Sequence, residues 1–196
     1  MGLFSRFFGS GASQSTTGSH PAPPEVAGHP HPSGNHPGGP YFNLLEWVRY
    51  YKAQHDYPKM LDCCLKSLPH IPAWVSREKR EFGRFGLVDI PAVELGCQYW
   101  AVLGDERAVS QVEALVKAVP ALRESCGRAL EFARRDLVIV PAIRKHLEAA
   151  GEVDQRKIGA AVGTQQVYVG LVLKRMQNLG MVRRTKQGKN TMVRLA

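Results

Sequence analysis

From residue 41 onward, apolar positions recur at three- and four-residue spacing, the pattern of helices that each bury one stripe. Leu44, Trp47, Val48 and Tyr51 make the first stripe. Pro58 stands where a second helix would start, and Met60, Leu61, Cys64, Leu65 and Leu68 carry it to Pro69 and Pro72, which are expected to stop it. A charged stretch over 77–84 follows. Pro91 then opens a helix with Leu95, Tyr99 and Val102 on one side. Gly104-Asp105 turns the chain, and Ala108, Val112, Leu115 and Val119 form the next row before Pro120. A further helix is expected over about 122–137.

The first forty residues break this pattern. Over 9–40, 23 of the 32 residues are Gly, Pro, Ser or His, and the apolar ones are three alanines and Val26. Such a segment buries too little surface to offset the entropy of ordering its backbone, so 1–40 is expected to be a disordered tail. Residues 1–8 are apolar with one cation, Arg6. Eight residues make a poor membrane anchor, and they read as a sticky end or a docking peptide. Arg6 occupies the place where a myristoylation pattern has Ser or Thr, and no secretory leader is expected. His20, His29, His31 and His36 are a compositional feature, and no metal site is assigned to them.

Within 41–135, Ala92-x-x-Leu95-Gly96-x-x-Tyr99, Ala108-x-x-x-Val112 and Pro120 keep the spacing of a two-helix repeat. Leu44-x-x-Trp47-Val48-x-x-Tyr51, Met60-x-x-x-Cys64 and Pro72 make a weaker copy without its small residues. These runs resemble the tetratricopeptide repeat. The copies are not in tandem and fall short of the three repeats a stable solenoid requires. The resemblance implies a compact helical-hairpin domain, with Trp47, Tyr51, Tyr99 and Trp100 in its core.

From Pro141 the signals sharpen. Pro141 precedes Ile143, His146, Leu147 and Ala150, and Gly151 is expected to end that helix. Asp154 is a good N-cap for a short helix holding Ile158, Ala161 and Val162. After Gly163-Thr164, a third helix over about 165–179 buries Val169, Val172, Leu173, Met176 and Leu179. Two short strands, 181–184 and 191–195, flank a polar, basic turn at Lys186-Gln187-Gly188-Lys189. Over 136–196 the chain resembles the winged helix-turn-helix of ArsR- and MarR-type bacterial regulators. The matching run is Ala161-Val-Gly-Thr-Gln-Gln-Val-Tyr-Val-Gly-Leu-Val-Leu-Lys-Arg-Met176, followed by Leu179-Gly-Met-Val-Arg-Arg184. The resemblance implies that the third helix enters the major groove of double-stranded DNA while the wing reaches the flanking backbone. Candidate contacts are then Thr164, Gln165, Gln166, Tyr168, Lys174 and Arg175 on the helix and Arg183, Arg184, Lys186 and Lys189 on the wing.

Charge agrees with that placement. Lys and Arg against Asp and Glu net to zero over 1–40, to +1 over 41–140 and to +8 over 141–196, which together make the +9 of the chain. A localised basic field gathers polyanions, nucleic acid first. The positions Val167, Gly170 and Leu171, where the resembling families carry Ser, Thr or Arg, imply modest sequence discrimination. An apolar patch there also suits a protein partner.

Cys63, Cys64, Cys97 and Cys126 lack C-x-x-C spacing and are expected to be reduced, buried thiols of a cytoplasmic protein. No apolar run approaches the roughly 18–20 residues that span a bilayer, so no stable membrane insertion is expected. No Walker loop, G-x-S-x-G elbow, H-E-x-x-H or G-x-G-x-x-G motif occurs, and neither catalysis nor a cofactor is expected. The sequence thus reads as a mainly α protein in three parts: a disordered tail (1–40), a helical-hairpin domain (41–135) and a winged helix (136–196). The expected function is DNA binding, as a transcriptional regulator or nucleoid-associated factor. A homodimer or a protein partner through 41–135 is expected. The alternative is a protein–protein adaptor.

Overall fold

The computed structural model describes residues 31–86 and 90–196, which are mainly helical with a small antiparallel sheet at the C-terminal end. The apolar 1–8 segment, His20 and His29 lie outside the described residues. Residues 31–39, expected to belong to the tail, lie against the first helix. Pro32 is buried, and the His31 ring meets Trp47 and Tyr50 edge-on at centroid distances of 4.7 and 5.3 Å. Two large aromatic faces give this otherwise polar stretch something to cover.

Helices α1 (Pro40–Ala53) and α2 (Tyr57–Ser67) form a hairpin, and the Asp56 carboxylate caps α2 by accepting from the Lys59 amide at 3.2 Å. As expected, α2 stops ahead of Pro69 and Pro72, but helical structure resumes at once. After a short turn at Leu68–His70, α3 (Ile71–Phe82) begins with Pro72 in its first turn, where no amide donor is needed. The charged stretch is largely the exposed second half of α3.

Helices α4 (Pro91–Leu103) and α5 (Glu106–Ala118) form a second hairpin, capped by Asp105, which accepts from the Ala108 amide at 3.0 Å. α2 packs on α4, with α3 as the segment that separates the hairpins in sequence. Ala92, Ala108 and Val112 are buried at the seam, and a Cβ on Gly96 would overlap the Trp100 ring. Tyr41 stacks on Trp74 at 4.5 Å and Tyr57 on Tyr99 at 5.0 Å. Tyr99 and Trp100 are core residues, while Trp47 and Tyr51 are partly buried against the core. All four cysteines are free and buried, and burial pushes Cys97 up to about 12 and Cys126 to about 11.

Next comes α6 (Arg123–Ala150), one helix of 28 residues where sequence reading places a break near Pro141. Pro141 has no amide to give the Leu137 carbonyl, yet the buried row Ala133, Val140, Ile143, Leu147 keeps its phase across it while Pro141 itself faces outward. Packing on both sides holds the helix through the lost bond. α6 consequently serves two cores, the first through Cys126, Leu130 and Ala133 and the second through Ile139, Ile143 and Leu147. The expected boundary at 135/136 falls inside this helix.

Beyond Gly151 come β1 (Val153–Asp154), α7 (Gln155–Ala161), α8 (Gln166–Asn178), β2 (Val182–Gln187) and β3 (Asn190–Leu195). The sheet order is β1-β3-β2, antiparallel throughout. β1 is too short to show an alternating pattern in sequence, but Val153 pairs with Val193 and extends the hairpin toward α7. The second core gathers Val153, Ile158, Val169, Leu173, Met176, Val182 and Val193 under these elements.

Candidate nucleic-acid interface

Placement of α8 begins at a close approach. A Cβ on Gly159 would lie 2.9 Å from the Thr164 carbonyl oxygen and 2.7 Å from Gln166 Oε1, so only glycine lets α7 meet the start of α8 here. Gly163, at φ +66°, makes the turn between the helices. The Asp154 carboxylate caps α7 through the Arg156 amide at 3.0 Å. With Val169, Val172, Leu173 and Met176 buried, α8 leaves Val167, Leu171 and Lys174 outward, a four- and three-residue spacing along one face. Val167 is 80% exposed and Leu171 50%.

A buried acid fixes the other side of α8. Asp136 of α6 is fully buried and accepts from the Tyr168 hydroxyl at 2.6 Å and from the Arg175 guanidinium at 2.7 Å. The Arg135 guanidinium lies over the Tyr168 ring at 4.0 Å. Desolvation pushes the Asp136 carboxyl up, against the pull of Tyr168, Arg175 and Arg135. Tyr168 is raised as well, by its own burial first and then by the carboxylate it faces. At the far end of the helix, Asn178 donates to the Tyr99 hydroxyl at 2.9 Å and joins α8 to α4.

Gln155, the first residue of α7, is a second hub. Its backbone carbonyl accepts from Gln166 Nε2 at 2.9 Å, and its Oε1 accepts from Arg184 at 2.7 Å. The start of α8 and strand β2 are thereby tied to one residue. Gln166 Oε1 and Arg184 Nε remain buried without a partner.

The hairpin carries the open cations. Its turn runs through Gly188 at φ +61°, the first central position of a two-residue turn, where positive φ suits glycine. Arg183, Lys186 and Lys189 are exposed. In the β2–β3 register Arg183 stands directly opposite Arg194, which is also exposed. Like charges opposite one another destabilise a strand pair. Among the described residues, none of Lys174, Arg183, Lys186, Lys189 or Arg194 makes an ion pair with an acid.

The residues singled out from sequence therefore divide. Gln166, Tyr168, Arg175 and Arg184 spend their polar groups inside the module. Gln165, Lys174, Arg183, Lys186 and Lys189 are exposed, and Thr164 is half-buried at the turn. Sequence reasoning missed Asp136, Gln155 and Arg194. A lone acid in phase with the buried row of α6 marks Asp136, and centring the hairpin on Gly188-Lys189 places Arg194 across from Arg183. Gln155 leaves no signal in the sequence.

Among the described residues, no group of three His, Cys, Asp or Glu is placed to hold a metal ion, and no helix is long and apolar enough to cross a membrane. No protein-family model, curated protein or solved structure matches the chain.

Proposed function

We propose that the segment from α6 to β3 is a winged helix that binds double-stranded DNA, with α8 toward the major groove and the β2–β3 hairpin on the phosphate backbone. The observation that carries this is the set of unpaired cations, above all Arg183 opposite Arg194. A pair that costs stability in the free protein becomes favourable once a polyanion lies across it. Lys174, Lys186 and Lys189 extend the same field, and the first amides of α8 offer donors to a further phosphate. Gln166, Tyr168, Arg175 and Arg184 act as positioning residues, holding α8 and β2 at their angle through Gln155 and Asp136. The biological role that fits is a transcriptional regulator or nucleoid-associated factor, with the helical hairpins supplying a homodimer contact or a partner contact.

The second reading, a protein–protein adaptor, draws on one observation: Val167 and Leu171 stand open on α8. Anisotropy titration of the full chain against a labelled mixed-sequence duplex separates the two. DNA binding predicts retention at low salt that weakens about equally for every duplex in Lys186→Ala/Lys189→Ala. An absence of binding at low salt rejects it in favour of the adaptor.

A further inference from the structure

We infer that the open face of α8 discriminates among DNA sequences through the C5-methyl groups of thymine, and so favours thymine-rich duplexes. This rests on the DNA-binding proposal above. Along that face the chain presents Val167 and Leu171 before reaching Lys174, and neither apolar side chain can donate or accept a hydrogen bond. The core does not need Val167 or Leu171, because Val169, Val172, Leu173 and Met176 already fill it from the other side of the helix. The two exposed side chains lie about one turn apart on α8.

The major groove offers one apolar feature, the thymine methyl; its other edge groups are donors and acceptors. Covering the O6 and N7 of guanine or the amino group of cytosine with Val167 and Leu171 would strip their water and return no hydrogen bond. Covering a thymine methyl removes apolar surface from both partners. Charge commits this face to DNA over an apolar protein groove: Lys174 continues the same face, and the neighbouring hairpin carries Arg183, Lys186, Lys189 and Arg194 without acidic partners among the described residues. Gln165 is exposed, and its side chain makes no cap bond at the start of α8, leaving it open to an adenine edge or a phosphate.

The test uses the full chain and four duplexes of equal length: one rich in A·T pairs, the same sequence with deoxyuridine in place of thymidine, and a G·C-rich duplex without and with 5-methylcytosine. Two buried methyls correspond to about a tenfold difference in affinity. The thymidine duplex is expected to bind about that much more tightly than its deoxyuridine counterpart, and 5-methylcytosine is expected to tighten the G·C duplex in the same direction. Val167→Ala/Leu171→Ala is expected to erase both differences while keeping salt-dependent binding, which separates methyl contact from any change in duplex shape. Equal binding of the thymidine and deoxyuridine duplexes by the unsubstituted chain overturns the inference and leaves DNA binding standing. Failure to bind any duplex overturns the underlying proposal instead.

Discussion

The two halves of this molecule treat charge in opposite ways. In the helical hairpins, charged side chains sit on outer faces, and several are matched locally: Lys59 with Asp56, Lys66 with Asp62, and Arg134 of α6 with Glu113 of α5. The region is close to neutral, and its stability comes from small residues and stacked rings at the seam, as with Gly96 under Trp100 and Tyr57 on Tyr99. From Pro141 onward bases outnumber acids, and the exposed ones stand unpaired on α8 and the hairpin. A fold that only needed to be stable would not place Arg183 across from Arg194. One half is arranged for its own packing, and the other carries the unpaired cations on which the proposed DNA binding rests.

The contrast extends to the buried polar groups. Asp105 in the hairpin region is an ordinary helix cap, half exposed at a turn. Asp136 is fully buried and holds two side chains of α8. Asp136→Ala leaves Arg175 and Tyr168 without their partner and is expected to cost about 3–5 kcal/mol in urea denaturation. Asp105→Ala is expected to cost about 1 kcal/mol. Equal losses at the two sites would remove the distinction between a cap and a clamp.

On binding, the contrast predicts location. Lys186→Ala/Lys189→Ala is expected to weaken duplex affinity by about 10–30-fold near physiological salt, with stability almost unchanged. Lys117→Ala/Arg128→Ala, on exposed positions of α5 and α6, is expected to leave affinity within about twofold. Similar losses from both pairs would mean that net charge, and not the hairpin, governs capture.

Smaller effects refine the picture. Gln155→Ala removes an acceptor from Arg184 and is expected to lower stability by about 1–2 kcal/mol, read from the same denaturation curves. Arg194→Thr relieves the cross-strand opposition and is expected to raise stability by up to about 0.5 kcal/mol while weakening duplex binding. Those opposite signs mark a residue kept for binding at some expense to the fold. A loss of stability in Arg194→Thr would show instead that the arginine packs usefully against the sheet.

Much of this division was legible along the chain. Periodic apolar rows place α1, α2, α4, α5 and α8, and Asp154 marks a helix start because a carboxylate at a first turn has an amide to satisfy, a role that Asp56 and Asp105 share in the structure. Proline misled at Pro141, where a missing amide is tolerable because the flanking residues stay packed, while Pro72, expected only to stop α2, also sits harmlessly in the first turn of α3. Within the candidate interface, the list of cations came directly from composition, but which of them are open did not. Tyr168 and Arg175 look like contact residues on a helical wheel until a buried acid 32 and 39 positions earlier claims them. Long-range hydrogen bonds of that kind leave no local periodicity to read. Arg194 is the reverse case, since its importance depends on hairpin register.

The most direct test of the unpaired cations is the salt dependence of duplex binding by the full chain, followed by anisotropy from about 50 to 200 mM salt. If Lys174, Arg183, Lys186, Lys189 and Arg194 each meet a phosphate, the logarithm of affinity falls linearly with the logarithm of salt, with a slope of about −4.5. A slope near zero, or no binding at the lowest salt, would contradict the claim that these side chains are held open for DNA.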